Sequence, residues 1–211
     1  TVPDTTAPGA RADQAAGVAT RRDNCRLCGS RDLEVVVKLP PTPIGDAYVP
    51  LEQIGEAQEC YPMDLYQCLG CGHAQLLDVV SQEVLWSETD QLSSVSLGLV
   101  EHLEGLAKEV LEFAQLPDDS LVVDIGSNDG TYLKLFQQEG MRVLGVDPAP
   151  HAARQANSRG VQTLHDFFTP GLASQVRNQW GPAKLVTANR VFANIDDLSG
   201  LLEGVKTLLD P

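Results

Sequence analysis

The chain has 211 residues, a formal net charge of -14 and a pI of about 4.5, with 43% hydrophobic residues. That acidity excludes binding to nucleic acid through its phosphates, which needs basic patches, and no apolar run reaches the length of a membrane span. The length and hydrophobic fraction suit one ordinary domain with a core plus a smaller one.

The chain starts at Thr1 rather than a methionine, so it is expected to be trimmed or incompletely represented. It opens on no hydrophobic segment of the signal-peptide kind. Residues 1–23 are rich in Thr, Ala, Pro, Gly and Asp without periodicity and read as a mobile tail. Five cysteines without a secretion signal point to a reducing, cytoplasmic compartment, and to metal or free thiols rather than disulfides. Four of the five form two C-x-x-C pairs, Cys25/Cys28 and Cys68/Cys71, each followed by glycine. Two such knuckles turn their sulfurs toward one ion, and four thiolates make a closed, tetrahedral structural site. Zinc is the expected metal; iron would satisfy the same four sulfurs. Cys60 falls outside both pairs and reads as a buried or incidental thiol. His73 reads as packing against the ribbon, because the four cysteines already fill the site.

Between the knuckles, Leu33–Leu39 reads as a strand and Pro40-Pro41-Thr42-Pro43 breaks the chain. An irregular segment follows at Ile44–Val49. Tyr61–Gln67 alternates into the second knuckle, and Ala74–Val80 leads out of it as another strand. Residues Gly98–Leu116 form a linking helix ended by Pro117, with Leu99, Leu103, Leu106, Val110 and Phe113 on one apolar stripe. His102 lies off that stripe and reads as a surface or interface residue.

The central stretch is Leu121–Leu133. Leu121-Val122-Val123 and Ile125 read as a buried parallel strand, Gly126 and Gly130 bracket the polar turn Ser127-Asn128-Asp129, and a helix follows from Thr131 to about Glu139. A glycine turn between strand and helix binds a ligand at the open helix N-terminus. The dinucleotide pattern G-x-G-x-x-G is absent. Here the pattern is D-x-G-x-x-x-G, with acidic residues inside the turn, Asp124 and Asp129. Carboxylates are poor neighbours for a pyrophosphate and good ones for a cationic or hydroxyl-rich ligand. The next strand, Arg142–Val146, ends on Asp147, which suits a ribose diol because a carboxylate accepts two hydroxyl hydrogen bonds. This combination resembles motif I and the acidic second-strand position of class I S-adenosylmethionine (SAM) methyltransferases.

A helix then runs from Ala149 to Arg159, entered through Pro148, and a short strand Val161–Leu164 leads to His165-Asp166-Phe167-Phe168. Asp166 could accept from an adenine amine and Phe167 could cover its ring; equally, the two phenylalanines could be core. A helix at Gly171–Asn178, a fourth strand at Lys184–Ala188 ending on Asn189, and a helix at Ile195–Leu209 complete the pattern. In the last helix Leu198, Leu201, Leu202, Val205 and Leu208 read as inward. The fold class is therefore α/β: a Rossmann-like class I methyltransferase sheet preceded by a small four-cysteine zinc ribbon. The divisions are a tail at 1–23, a zinc domain at 24–82, a linker and connecting helix at 83–117, and a SAM-binding domain at 118–211. Four parallel strands are present where the methyltransferase sheet has seven, so strand four would be an exposed edge and a longer native chain is expected.

From about residue 24 onward the chain resembles the zinc-binding, SAM-dependent deoxysugar C-methyltransferases of antibiotic pathways. The matching pieces are Cys25/Cys28, Cys68-Leu-Gly-Cys71-Gly-His-Ala-Gln-Leu76, Ser93-Ser94, Val100-Glu-His-Leu103, Val122-Val-Asp-Ile-Gly-Ser-Asn-Asp-Gly130, His165-Asp166-Phe167-Phe168 and Asn189-x-x-Phe192. The resemblance implies a structural zinc ion on Cys25, Cys28, Cys68 and Cys71. It implies SAM held by Asp124, Gly126, Asn128, Asp129, Gly130, Asp147, Asp166, Phe167 and Asn189. It implies a small-molecule acceptor, a nucleotide-linked keto-sugar or another natural-product intermediate.

That reaction takes a proton from the carbon beside a ketone, and the resulting enolate carbon attacks the methyl group. The family's catalytic histidine stands in a sequence like F-x-H-I, where this chain has Phe192-Ala193-Asn194-Ile195. Asparagine is no base at neutral pH. The family's tyrosines before the Ser-Ser pair are replaced by Thr89 and Gln91, and its later Tyr-x-Glu-His segment lies beyond Pro211. Methyl transfer is the leading expectation. A pocket turned to cyclisation or isomerisation, or a non-catalytic SAM-binding module, are the alternatives; oligomeric state is open.

Overall fold

The computed structural model describes residues 18–45, 48–87, 92–96 and 98–209. Expectations that fall on residues 1–17, Thr89 and Gln91 lie outside this range. Chain order begins with strand β1 (Ala19–Arg21), followed by β2 (Leu33–Val37), β3 (Leu65–Cys68), β4 (Ala74–Leu76) and β5 (Asp78–Val80). Strands β2, β3 and β4 form a three-stranded antiparallel sheet, and β1 pairs antiparallel with β5 in the register Ala19↔Val80. Residues 18–23 are therefore not tail: the chain is committed to a sheet from Ala19. The strand read over 74–80 is split, because the run turns at buried Leu77 to serve two different sheets. Upstream, the alternation from Tyr61 yields only a bridge to Thr42 before β3 begins at Leu65.

The second unit follows helix α1 (Gln82–Ser87), a 3-10 turn at Ser93–Val95 and helix α2 (Leu99–Ala114). It comprises β6 (Leu121–Ile125), α3 (Thr131–Gln138), β7 (Arg142–Asp147), α4 (Pro150–Ser158), β8 (Thr163–His165), α5 (Pro170–Trp180), β9 (Leu185–Thr187) and α6 (Leu198–Leu208). The four strands are parallel in the order β8-β7-β6-β9. β6 is buried at every position, as an apolar strand covered on both faces must be. Val122 packs with Leu103 and Ala107 of α2, Tyr132, Leu133 and Phe136 of α3, and Ala156 of α4. Its neighbours Leu121 and Val123 face the other way, against Leu172 and Val176 of α5 and Leu208 of α6.

Local signals set the helix starts. Pro150 and Pro170 open α4 and α5, where a missing N–H costs nothing. The Thr169 hydroxyl accepts from Leu172 N at 3.1 Å, and Asp197 caps α6 by accepting from Gly200 N at 2.9 Å. Two inward assignments are corrected. Phe113 is 92% exposed, because the buried stripe of α2 centres on Leu103 and Ala107 and, at 100° per residue, Phe113 lies about 100° away from it. Leu202 is half exposed because Leu198, Leu201 and Leu208 already define the inner face of α6.

Candidate functional site

The metal centre follows from two nearly identical knuckles. In the first, Gly29 N donates to Cys25 O and Cys25 N to Ser30 O, both at 2.8 Å; in the second, Gly72 N donates to Cys68 O and Cys68 N to His73 O, again at 2.8 Å. Gly29 and Gly72 have φ of +76° and +77°, a region that glycine enters without a Cβ penalty. The loops place the sulfurs of Cys25, Cys28, Cys68 and Cys71 all within 4.8 Å of one another. Cys28 Sγ lies 3.6 Å from Cys68 Sγ, and Cys25 Sγ lies 3.8 Å from Cys71 Sγ. A tetrahedral zinc site with Zn–S of about 2.3 Å has sulfur–sulfur edges of roughly 3.8 Å, so the cluster fits the ion and leaves no open position. His73 is outside the cluster, half-buried beside Arg26, and Cys60 is exposed.

The second feature is a cavity of about 610 Å³ at the C-terminal ends of the parallel strands. Open α/β sheets place ligands there, where the chain leaves β6 in one direction and β9 in the other. Its floor is the turn after β6. Gly126 N and Ser127 N both donate to Val146 O, at 2.8 and 3.3 Å. Gly126, Asn128 and Gly130 have φ of +71°, +51° and +76°. A Cβ on Gly126 would stand 2.6 Å from Val191 Cγ2, so the turn and the loop after β9 meet at a glycine. Ser127 Oγ is buried without a hydrogen-bond partner at this floor, an orphan polar atom of the kind a bound ligand satisfies.

Asp147 ends β7 at the cavity edge and is 6% exposed. One carboxylate oxygen accepts from Asn128 N at 2.7 Å, the other from Ala149 N at 2.8 Å. The carboxylate is thus aimed by backbone, and each oxygen keeps a lone pair for a further donor. Burial raises its pKa, opposed by those two backbone donors. Asp124 lies deeper, wholly buried, and accepts from the Thr187 hydroxyl at 2.6 Å. Burial, with the charge of Asp147 adding and the Thr187 bond opposing, pushes it up to about 7.

Of the residues expected to hold the cofactor, Asp124, Gly126, Asn128, Asp147, Phe167 and Asn189 line this cavity, and so does Asn194. Asp129, Gly130 and Asp166 do not. Asp129 is fully buried and committed elsewhere. It accepts from Ser94 N at 3.1 Å, from the Thr131 hydroxyl at 2.7 Å and from Arg159 at 2.9 Å. A Cβ on Gly130 would stand 2.9 Å from Val161 Cβ and 3.2 Å from Ala156 Cβ, so its missing side chain makes room for packing rather than for a ligand. Asp166 is exposed and accepts from the neighbouring Phe167 N at 2.8 Å.

Reading the sequence missed Tyr132, whose ring lines the cavity from the first turn of α3. Its phenol is pushed up to about 12 by burial and by Asp124, with Asn189 opposing. An aromatic two residues after the turn's last glycine was the available signal. Also unread was the covering role of the Ser93–Val95 turn. Ser93 N donates to Asn128 Oδ1 at 2.8 Å, and Ser94 N to Asp129, so this segment is tied over the glycine turn.

Residues 25–86 match a family described as "Putative zinc binding domain", and residues 99–211 match one described as "Methyltransferase domain". The C-methyltransferase NovU of Streptomyces niveus is 35% identical over 189 residues, which is 90% of this chain and 45% of that protein, so the chain spans under half the length of this relative. Among solved structures, the magnesium protoporphyrin IX methyltransferase ChlM of Synechocystis PCC 6803 with bound SAM aligns with 54% of this chain and 56% of its own, at 17% identity and a TM-score of 0.43. A SAM-dependent methyltransferase from Thiobacillus denitrificans, in complex with S-adenosyl-L-homocysteine, aligns with 53% of this chain and 44% of its own, at 20% identity and a TM-score of 0.39. Because the methyltransferase match takes in more than half of the chain and the zinc-domain match falls on the four-cysteine unit before it, the chain belongs to the methyltransferase family in a form with an N-terminal zinc-binding domain.

Proposed function

We propose that the protein is a SAM-dependent C-methyltransferase of natural-product biosynthesis whose acceptor is a nucleotide-linked keto-sugar or a related small molecule. The observation that carries this reading is Asp147: a nearly buried carboxylate at the end of β7, aimed into the cavity by two backbone N–H groups, suits the ribose diol of an adenosyl group. Gly126 lets the backbone come close to the ligand, and Phe167 offers an apolar face for the adenine. The bound cofactor supplies the electrophilic methyl group. Asn194, at the family's histidine position, lines the same cavity and offers a neutral amide to the acceptor. The four-cysteine cluster holds zinc in a structural role. No described helix is long and apolar enough to cross a membrane; cysteines gathered around a metal rather than paired in disulfides favour a reducing compartment, and we place the protein in the cytoplasm.

The test is calorimetric titration with SAM and S-adenosylhomocysteine, followed by incubation with a labelled methyl donor and nucleotide keto-sugars. Micromolar binding is expected, weakened about 10- to 100-fold in Asp147→Ala, since a charge-assisted bond to a diol contributes about 1.5–3 kcal/mol. Absence of binding to either ligand overturns the proposal. Binding without transfer to any keto-sugar overturns the acceptor assignment.

A further inference from the structure

The loop between β9 and α6 lacks regular structure, yet four successive carbonyls in it are taken by side chains from the N-terminal half of the chain. Arg26 donates to Phe192 O at 3.1 Å, to Ala193 O at 3.2 Å and to Ile195 O at 2.9 Å. Gln82 Nε2 donates to Asn194 O at 3.0 Å, and Arg22 pairs with Asp196. Backbone carbonyls outside helices and strands need donors from elsewhere, and a planar guanidinium can serve several at once. Arg26 stands between Cys25 and Cys28, inside the first metal knuckle, and its own backbone N–H is fixed by Gln75 Oε1 at 2.9 Å. On its other side the same loop forms cavity wall. Val191, Asn194 and Ile195 line the cavity, and Val191 is the residue that meets Gly126.

We infer that Arg26 is a positioning residue: it fastens the cavity wall at 191–195 to the metal knuckle, so that the ion which orders the knuckle also orders the wall. A metal otherwise remote from the ligand site thereby acts on it through Arg26, and by reciprocity a ligand seated against the wall tightens the knuckle. The meaning of the wall for cofactor binding rests on the function proposed above; the fastening itself does not.

The test uses the full chain loaded with zinc, comparing wild type, Arg26→Met and Arg26→Lys. Three quantities are measured: metal content, amide hydrogen exchange resolved to peptides, and titration with S-adenosylhomocysteine. Arg26→Met is expected to keep its zinc. Exchange at the Asn194 amide, which donates to Val191 O, should quicken about tenfold or more while the β6 amides stay protected, as in local opening. Arg26→Lys retains the charge but reaches fewer carbonyls, so it should fall between the two. If Arg26→Met does not fold, zinc removal from the wild type by a chelator tests the dependence of the wall on the ion, with faster exchange over 190–196 expected. Unchanged exchange there in a folded, zinc-loaded Arg26→Met, or in chelated wild type, overturns the inference, as does a lysine variant indistinguishable from wild type. Faster exchange in a protein that binds no S-adenosylhomocysteine leaves the fastening standing and removes the methyltransferase reading instead.

Discussion

Two aspartates on neighbouring strands are put to different uses by their surroundings. Asp147 accepts two backbone N–H groups at the cavity edge, whereas Asp124 accepts from the Thr187 hydroxyl and is more deeply buried. With a folded pKa of about 7 against an ordinary value near 3.9, Asp124 keeps its proton in the folded state over a range where the unfolded chain has lost it. Its contribution to stability is therefore complete below about pH 4 and is lost as the pH rises to about 7. Asp124→Asn cannot ionise and retains an acceptor for Thr187. Denaturant unfolding of ligand-free protein at pH 4 to 8 should show the variant gaining on wild type through that window, by up to about 4 kcal/mol, and levelling off above it. A constant difference across the range would rule out a raised Asp124. Asp147 at its strand tip was legible in the sequence because strand and turn spacing fix where a strand tip points; Asp124, read as part of the turn, lies within β6 instead. Asp129 was not, since its partners Ser94 and Arg159 arrive from 35 and 30 residues away and turn its carboxylate inward.

Among the elements, α2 separates what periodicity can and cannot determine. Its existence, its end before Pro117 and the core positions Leu103 and Leu106 follow from apolar spacing. The stripe's final member does not, because a run spaced at four and three drifts around a 3.6-residue helix and only packing decides where the core stops. Leu103→Ala should cost about 2–4 kcal/mol by leaving a hole between α2 and α3, while Phe113→Ser should stay within about 0.5 kcal/mol, both read from denaturant midpoints. Equal losses would mean that Phe113 is covered in solution. The same limit applies to Leu202 on α6. That β6, β7, β8 and β9 are parallel was readable from alternating strand and helix patterns; the doubling of β4 and β5 at Leu77 was not, since one apolar run served two sheets.

At the scale of the whole molecule, two cores of different origin are joined through side chains. The sheet unit has large apolar clusters on both faces, while among the described residues the cysteine unit buries little beyond Cys25, Tyr61, Cys68, Gln75 and Leu77. A unit with so little apolar burial depends on its ion, and metal-binding energy is then folding energy. Addition of a strong chelator should melt the β2-β3-β4 sheet, seen as loss of exchange protection at Cys68 N and Tyr66 N, while β6 and β7 stay protected. Concerted loss in both units would mean that the sheet unit has no independent stability. The convergence of Cys25, Cys28, Cys68 and Cys71 was plain from spacing alone. The docking of Arg22 and Arg26 on the loop after β9 was invisible, because a pairing across 166 to 174 positions leaves no local pattern.

The paired knuckles also decide how freely the segment between them can vary in length. With the ion in place, the chain from Cys28 to Cys68 is a closed loop of 40 steps (68 − 28), and its middle carries Leu51 and Ile54 exposed to solvent. The entropy of closing a loop grows only with the logarithm of its length, so doubling it costs about 0.6 kcal/mol. A sizeable insertion near Ile54 should thus leave metal affinity almost unchanged, which makes this stretch the natural place to splice in a reporter peptide or a second domain.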